Sequence, residues 1–320
     1  MRHSSKSNWA EGSSTSFSFG VTYDSLPFRI PKTHLKFAEG WRKLIQRSDR
    51  VTPGFVKHRI ALWLAPVQLL TDASSYQDLL SSEDLVAIDQ FRLSPARSCA
   101  IASRVLLRIG LSHAVDGRFE PKDWRIVSSS NGKPIIGKGQ PNMQFSISHT
   151  DQVAAVAISQ DLPVGVDVES VEHPATKELI DAFCCGCEQP LLISGPAHQT
   201  SREFIRLWTL KEAYSKMIGL GHSIDFNSLG FSLDSLSLRH ATKEDLQPAD
   251  VHFETMWISA KTTLHHLSLA IDFSTFKSNP VELQVIAPSA LVDGRSAIMA
   301  PSVTLSTGGD HDERPEIGAF

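Results

Sequence analysis

Residues 145–170 read FSISHTDQVAAVAISQDLPVGVDVES, the stretch with the clearest pattern of secondary structure. Apolar and polar side chains alternate in its first and last parts, and such alternation predicts half-buried β-strands. The apolar segment VAAVAIS between them also favours a strand. We therefore expect three strands joined by short polar links, arranged as a meander. His149 ends the first strand, and Asp167 and Glu169 lie in the third.

The third predicted strand directs two carboxylates to one face. Val164, Val166 and Val168 alternate with Asp167 and Glu169, and successive side chains of a strand point to opposite faces. Adjacent carboxylates repel each other unless a cation or solvent lies between them. Two oxygen ligands suit Mg²⁺, which keeps several of its waters. A solvated acidic face explains the same pattern equally well, so both interpretations stay open here.

The segment LWTLKEAYSKMIGLG, residues 207–221, predicts a helix with two distinct stripes. The apolar stripe comprises Leu207, Leu210, Tyr214 and Met217. The other stripe comprises Trp208, Glu212, Ser215 and Lys216. Glu212 and Lys216 form an i, i+4 pair, which on an ordinary surface contributes about 0.3 kcal/mol. The neighbouring Trp208 and the glycines after the helix favour a helix face that lines a cleft beside a loop.

The remaining patterns predict an α+β chain, because helices and meandering strands alternate without a regular β-α-β repeat. The predicted helices cover residues 81–91, 94–115, 176–192 and 201–219. The predicted strands outside the opening stretch cover residues 58–67, 123–130, 229–234, 251–259, 265–273 and 281–287. The Asn-Gly pair of NGKP, residues 131–134, predicts a tight turn.

Composition excludes several classes of protein. The 320 residues carry a formal net charge of -4, which argues against a general nucleic-acid binder. The densest apolar run, IALWLAPVQLL, is shorter than the roughly twenty residues of a membrane span. The N-terminal residues lack the apolar core of a signal peptide. We therefore expect a cytoplasmic protein that binds neither nucleic acid nor membrane.

Three of the four cysteines crowd into FCCGCEQ, residues 183–189. Neither a disulfide framework nor a zinc site has this spacing. The expectation is reduced, partly buried thiols on a helix.

The segments NGKP, FSISHT, GVDVE and WTLKEAYSK occur in this order along the chain. Together they closely resemble the 4′-phosphopantetheinyl transferase superfamily, in particular the type that activates surfactin synthetase. The resemblance extends from the IALWLAP strand to HHLSLAI. It implies two similar α+β halves packed together, residues 57–163 and 164–287, with the active site in the cleft between them. A poorly structured extension, residues 1–56, and a disordered tail, residues 288–320, are expected to flank them.

The resemblance also implies a reaction. The 4′-phosphopantetheine group would move from coenzyme A to a serine of an apo acyl carrier or peptidyl carrier protein. The products would be the holo carrier and adenosine 3′,5′-bisphosphate, as in holo-[acyl-carrier-protein] synthases. Mg²⁺ is the implied cofactor, and we expect the enzyme to be a monomer. Two alternatives remain: another Mg²⁺-dependent phosphotransferase or nuclease, and a non-catalytic binder of carrier proteins.

Carried over residue by residue, the resemblance assigns roles to positions of this chain. The implied magnesium ligands are Asp167, Glu169 and Glu212. The implied catalytic residues are Glu212, as general base directly or through a metal-bound water, and Lys216. The implied coenzyme-binding residues are Arg97, Arg104, Lys133, Pro134, Ser148, His149, Lys211 and Lys216. Either Arg97 or Arg104 would bind the 3′-phosphate, and His149 would contact the pyrophosphate.

One segment departs from the family pattern. Three cysteines, Cys184, Cys185 and Cys187, stand where the family usually has aromatic residues before a glutamate, although Glu188 is kept. Because this region borders the contact with the carrier protein, the sequence leaves open which carrier and which pathway the enzyme serves. Fatty-acid, polyketide and nonribosomal peptide synthesis are the candidates.

Overall fold

The structure is a computed structural model that describes residues 19–25, 58–92, 94–193, 196–241, 250–260, 263–274, 281–287 and 303–305. Apart from two strands, the predicted N-terminal extension and C-terminal tail lie outside these described residues, so both remain predictions. The described part mixes helices and β-sheets, in keeping with the α+β expectation. None of its helices combines the length and the apolar content that crossing a membrane requires.

Six strands form the larger sheet, in the order β13-β1-β12-β2-β6-β5. These strands are β1 Phe19–Ser25, β2 His58–Pro66, β5 Gln144–His149, β6 Val153–Ser159, β12 Val281–Ala287 and β13 Val303–Leu305. The pairs β1–β12 and β12–β2 are parallel, and the other neighbours run antiparallel.

Three strands form the second sheet, in the order β10-β11-β7. They are β7 Val164–Ser170, β10 Val251–Ala260 and β11 Thr263–Asp272. Two hairpins complete the β-structure, β3 Ile126–Ser128 with β4 Pro134–Ile136 and β8 Leu229–Ser232 with β9 Ser237–Ala241. The turn between β3 and β4 is the predicted NGKP turn, where Gly132 has a φ of 79°.

The predicted three-strand meander is wrong at its third strand. Strands β5 and β6 pair as expected, but β6 pairs on its other side with β2. Strand β7 pairs with β11 instead and so belongs to the second sheet. In this position the valines of β7 cover one face of the larger sheet and are fully buried between the two sheets.

Five helices are found in the described residues. They are α1 Ser82–Asp89, α2 Ser94–Ala114, α3 Lys177–Phe183, α4 Gln189–Ile193 and α5 Ala197–Ile218. Gly219 ends α5 in the left-handed conformation, with a φ of 76°, which glycine adopts without strain. The single helix predicted over residues 176–192 is wrong, because the chain becomes extended at Cys184 and a second short helix follows.

The elements stack in four layers: α2, the larger sheet, the second sheet and α5. One apolar cluster packs α2 onto β2 and β6, a second lies between the two sheets, and a third packs α5 onto the second sheet. The valine face of β7 lies in the middle cluster, as its alternation predicts. The predicted apolar stripe of α5 is confirmed, since all four of its members are buried in the third cluster. The opposite face of β7 therefore turns its carboxylates toward α5.

Gly165 allows β7 to approach α5 closely. A Cβ atom at this position would lie 1.9 Å from the carbonyl oxygen of Ala213 and 2.5 Å from the amide nitrogen of Met217. Both are helix main-chain atoms that cannot move aside alone. We expect Gly165→Ala to lower the free energy of unfolding by about 3 kcal/mol or more, measured by chemical denaturation. Gly186→Ala is the control, because a Cβ there meets no atom within 4 Å; equal stability of the two variants would contradict the prediction.

Candidate active site

Strands β5 and β7 meet where the two sheets come together, and serine hydroxyls join them. The Oγ atom of Ser146 accepts a hydrogen bond from the amide of Val166 at 3.0 Å. The Oγ atom of Ser148 accepts one from the amide of Val168 at 3.3 Å. Ser146 and Ser148 thus accept hydrogen bonds from main-chain amides on one edge of β7. The other edge of β7 pairs with β11. This places the end of the first strand beside the acidic face of the third.

Asp167 lies at the centre of the site, and only 2% of the residue is exposed. Its Oδ1 atom accepts a hydrogen bond from Ser148 Oγ at 2.8 Å and forms an ion pair with Lys216 Nζ at 2.5 Å. Lys216 Nζ also donates to Ser148 Oγ at 3.1 Å. The other oxygen, Oδ2, is buried and has no hydrogen-bond partner among the described residues. A buried carboxylate oxygen of this kind needs a donor or a cation.

Glu169 and Glu212 complete an acidic group around Asp167. Burial, followed by the charge of Asp167, raises the pKa of Glu169 to about 7, and the charge of Glu212 acts in the same direction. Glu212 is itself 8% exposed. Trp208 donates a side-chain hydrogen bond to Glu169, which acts to lower that pKa. The repulsion between these carboxylates marks the place where a positive charge is most stabilising.

The described residues contain no group of three His, Cys, Asp or Glu side chains assembled closely enough to hold a metal ion. Nevertheless, the charges of Asp167 and Glu212 both raise the pKa of Glu169, so the three predicted ligands lie near one another. The bare Oδ2 atom of Asp167 and the raised pKa of Glu169 fit a hard cation that takes few protein oxygens and keeps several waters. The donor set is therefore chemically suited to Mg²⁺.

A groove of about 1020 Å³ opens on the first-half side of this acidic group. Helices α1 and α2 and the hairpin β3–β4 form its walls, and His149, Arg104 and Pro134 line it. Enclosure by the protein, followed by the positive charge of Lys216, lowers the pKa of His149. His149 therefore lies between the groove and the carboxylate site, and the residue is exposed.

The NGKP turn docks onto the C-terminal end of α5. Lys133 Nζ donates a hydrogen bond to the carbonyl oxygen of Met217 at 3.1 Å, and burial lowers the pKa of Lys133. A cation at this end of a helix is favourable, because the last carbonyl groups carry partial negative charge. Ser215 Oγ donates to the carbonyl oxygen of Gly221 at 2.5 Å and so holds the glycine loop after the helix. The turn and the loop thus lie next to each other.

The structure separates the two candidate arginines. Arg104 lines the groove together with His149 and lies 3.5 Å from Asp84 Oδ1. Arg97 instead reaches the C-terminal end of α1, where it donates to the carbonyl oxygen of Ile88 and to Asp89 Oδ1, both at 2.8 Å. Of the two candidate arginines, Arg104 is therefore the one that the fold brings to the groove.

The ammonium group of Lys211 is directed away from the groove and from Asp167. Its ammonium group donates to Glu188 Oε2 at 2.6 Å, to the carbonyl oxygen of Phe183 at 2.7 Å and to that of Phe226 at 3.0 Å. Because an ammonium has three N–H donors, all of them are used within the protein. The sequence indicated neither this pair nor the buried ion pair of Arg108 with Asp84, since neither pair has regular local spacing.

The expectation of three reduced thiols on a helix is wrong. Cys185 and Cys187 form a disulfide, while Cys184 stays a buried free thiol. All three residues follow the end of α3 rather than lying on it. Burial raises the pKa of the Cys184 thiol to about 12.

A family profile described as the 4′-phosphopantetheinyl transferase superfamily matches residues 163–269, which include β7 and α5. Among curated proteins, the chain is 32% identical over 168 residues to the 4′-phosphopantetheinyl transferase HetI of Nostoc sp., a match that covers 51% of this chain and 69% of that protein.

Two further relatives show the same similarity. The chain is 28% identical to the 4′-phosphopantetheinyl transferase psf-1 of Bacillus pumilus, over 47% of this chain and 62% of that protein. It is 27% identical to a phosphopantetheinyl transferase of a Thraustochytrium species, over 49% of this chain and 59% of that protein. The chain thus spans less than two thirds of the length of these last two relatives.

Proposed function

The chain belongs to the 4′-phosphopantetheinyl transferase superfamily, and from this premise we propose that it transfers 4′-phosphopantetheine from coenzyme A to a serine of an apo carrier protein. The observation that carries the proposal is the carboxylate of Asp167, held through Oδ1 and bare at Oδ2, beside Glu169 and Glu212. Similarity to proteins named as transferases favours this reaction over a nuclease or a non-catalytic binder.

Asp167, Glu169 and Glu212 would hold Mg²⁺ when it is bound, and the ion would neutralise charge on the phosphate oxygens. Lys216 is close enough to share this task, because its ammonium lies against Asp167 and its side chain is 28% exposed. An ammonium at this position can contact both a protein carboxylate and a phosphate oxygen. In the proposed complex, the three carboxylates and Lys216 would surround the phosphate oxygens, on which negative charge increases during phosphoryl transfer.

Glu212 is the proposed general base. The attacking serine hydroxyl must lose a proton, and a positioned carboxylate can accept it. Glu212 is buried and lies on α5 one turn before Lys216, which faces Asp167. The proton of the serine would pass to the Glu212 carboxylate, directly or through a water, as the serine oxygen bonds to phosphorus and adenosine 3′,5′-bisphosphate leaves.

The groove between α1, α2 and the hairpin β3–β4 is the proposed site of the nucleotide part of coenzyme A. Its volume supports this assignment, as does His149, which lines the groove and directly follows Ser148, the hydrogen-bond partner of Asp167. Arg104 would bind the 3′-phosphate, His149 the pyrophosphate, and Lys133 with Pro134 would border the adenine. The proposed cleft lies between the two halves of the chain, where β5 meets β7. Contact of Lys211 with the coenzyme would require it to leave Glu188, so we do not propose it.

Incubation with coenzyme A, Mg²⁺ and a panel of apo carrier proteins tests the function. Intact mass measurement should show each accepted carrier gaining one phosphopantetheine group, and replacing its acceptor serine by alanine should abolish the gain. If folded protein modifies no carrier from fatty-acid, polyketide or nonribosomal peptide synthesis, the proposed function is wrong. Assignment to the type that activates surfactin synthetase, a cytoplasmic location and a monomeric state remain predictions from the sequence.

Two of the three arginines of α2, Arg97 and Arg104, provide a matched pair for the donor site. We expect Arg104→Ala to raise the KM for coenzyme A by about tenfold or more, because a charged hydrogen bond to phosphate contributes roughly 1.5–3 kcal/mol. Arg97→Ala removes the same side chain outside the groove and should leave this KM within about twofold. Steady-state kinetics at saturating carrier protein measures both values. A larger effect of Arg97→Ala than of Arg104→Ala would assign the 3′-phosphate to Arg97 instead.

A further inference from the structure

Every hydrogen-bonding position of the Ser148 hydroxyl is occupied. Its proton is donated to Asp167 Oδ1 at 2.8 Å. Its oxygen accepts from the Val168 amide at 3.3 Å and from Lys216 Nζ at 3.1 Å. A serine hydroxyl has one donor and two acceptor positions, so no position is left for a ligand. With 7% of the residue exposed, Ser148 is also poorly accessible to a substrate.

These contacts determine how Asp167 is oriented. Ser148 and Lys216 both bind Oδ1, which leaves Oδ2 as the oxygen without a partner. The amide of Val168, the next residue of β7, anchors the same hydroxyl. Ser148 is therefore fixed to the backbone of the strand that carries Asp167, and the carboxylate cannot rotate without breaking this arrangement.

We propose that Ser148 is a positioning residue for the divalent cation: it holds Oδ1 of Asp167 so that Oδ2 is presented to the ion. This assigns Ser148 to the metal ligand rather than to the nucleotide, where the family resemblance would place it. The inference rests on the proposed function only for its kinetic consequences. Partners of a metal-ligating side chain typically change metal affinity by about 10–100-fold when they are removed.

Ser146 provides a matched control in the same strand. It is 5% exposed, and its hydroxyl accepts from the amide of Val166 just as that of Ser148 accepts from Val168. Ser146→Ala therefore loses the same kind of contact between β5 and β7. Within the part of the chain that the structure describes, Ser146 has no counterpart to the hydrogen bond of Ser148 with Asp167.

The test measures binding of Mn²⁺, used alone as a paramagnetic probe, to the full chain without coenzyme A. We expect Ser148→Ala to raise the dissociation constant for Mn²⁺ by about tenfold or more. Ser146→Ala should leave it within about twofold of the parent protein, and Ser148→Thr, which keeps the hydroxyl, should restore most of the affinity. Should Ser148→Ala fail to fold, Ser148→Cys replaces it, because a thiol has similar size but donates and accepts weakly.

Kinetic measurements distinguish a positioning role of Ser148 at the cation from a contact of Ser148 with the nucleotide. At saturating Mg²⁺ the KM for coenzyme A of Ser148→Ala should be unchanged, while the Mg²⁺ concentration for half-maximal turnover rises in step with the Mn²⁺ dissociation constant. A raised KM with normal Mn²⁺ affinity would return Ser148 to the nucleotide site and overturn the inference, as would equal Mn²⁺ affinities in the two alanine variants. A parent protein that binds Mn²⁺ but modifies no carrier would refute the proposed function alone.

Discussion

Asp167→Asn is expected to fold normally and to lose transfer activity by at least about a hundredfold. The amide keeps the shape of the side chain and can still accept the hydrogen bonds of Ser148 and Lys216 through its oxygen. It loses the negative charge that would hold Mg²⁺ through Oδ2. An ion that neutralises phosphate charge contributes several kcal/mol to the transition state, and each 1.36 kcal/mol corresponds to about tenfold in rate.

Turnover at saturating coenzyme A and carrier protein, beside a thermal melting curve, measures this effect. Asp234→Asn, on an exposed turn, removes a carboxylate far from the proposed site and should keep normal turnover. Activity of Asp167→Asn within about threefold of the parent at saturating Mg²⁺ would exclude Asp167 from the cation site. Reduced activity together with a lowered melting temperature would instead indicate that the Lys216 pair is structural.

Lys211→Met is expected to lower the free energy of unfolding by about 3–5 kcal/mol, the usual range when one partner of a buried ion pair is removed. Lys211 and Glu188 form an ion pair at 2.6 Å, and each side chain is 1% exposed. Methionine has nearly the length of lysine, so packing changes little. The carboxylate of Glu188 would then be buried without a cation, although it keeps the amide hydrogen bonds from Cys185 and Phe231.

The double variant Lys211→Met/Glu188→Gln separates charge from packing. It removes both charges but keeps a side-chain oxygen for the amide of Phe231, so we expect it to recover at least about half of the lost stability. Lys177→Met breaks the exposed pair with Asp181 and should leave the denaturation curve within experimental error. If Lys211→Met unfolds no more readily than Lys177→Met, the pair is not buried in solution.

Local patterns in the sequence were sufficient for most of the secondary structure. The alternation of valine and carboxylate in β7 predicted which side chains share a face, because a strand has a period of two whatever it pairs with. The apolar stripe of α5 was equally readable, since residues three and four apart meet on one side of a helix. The four ordered motifs likewise indicated the family from the sequence alone, and the proposed carboxylates Asp167, Glu169 and Glu212 follow from them.

Only the tertiary structure decided where these elements meet. Alternation does not specify which strand lies beside β7, and its partner β11 is about a hundred residues further along the chain. Helical spacing places Arg97 and Arg104 on the same helix, but α1 captures Arg97 and leaves Arg104 in the groove. The link from Ser148 to Asp167 and the Lys211–Glu188 pair join residues 19 and 23 positions apart. Such contacts depend on how whole layers pack, and no local period in the sequence records them.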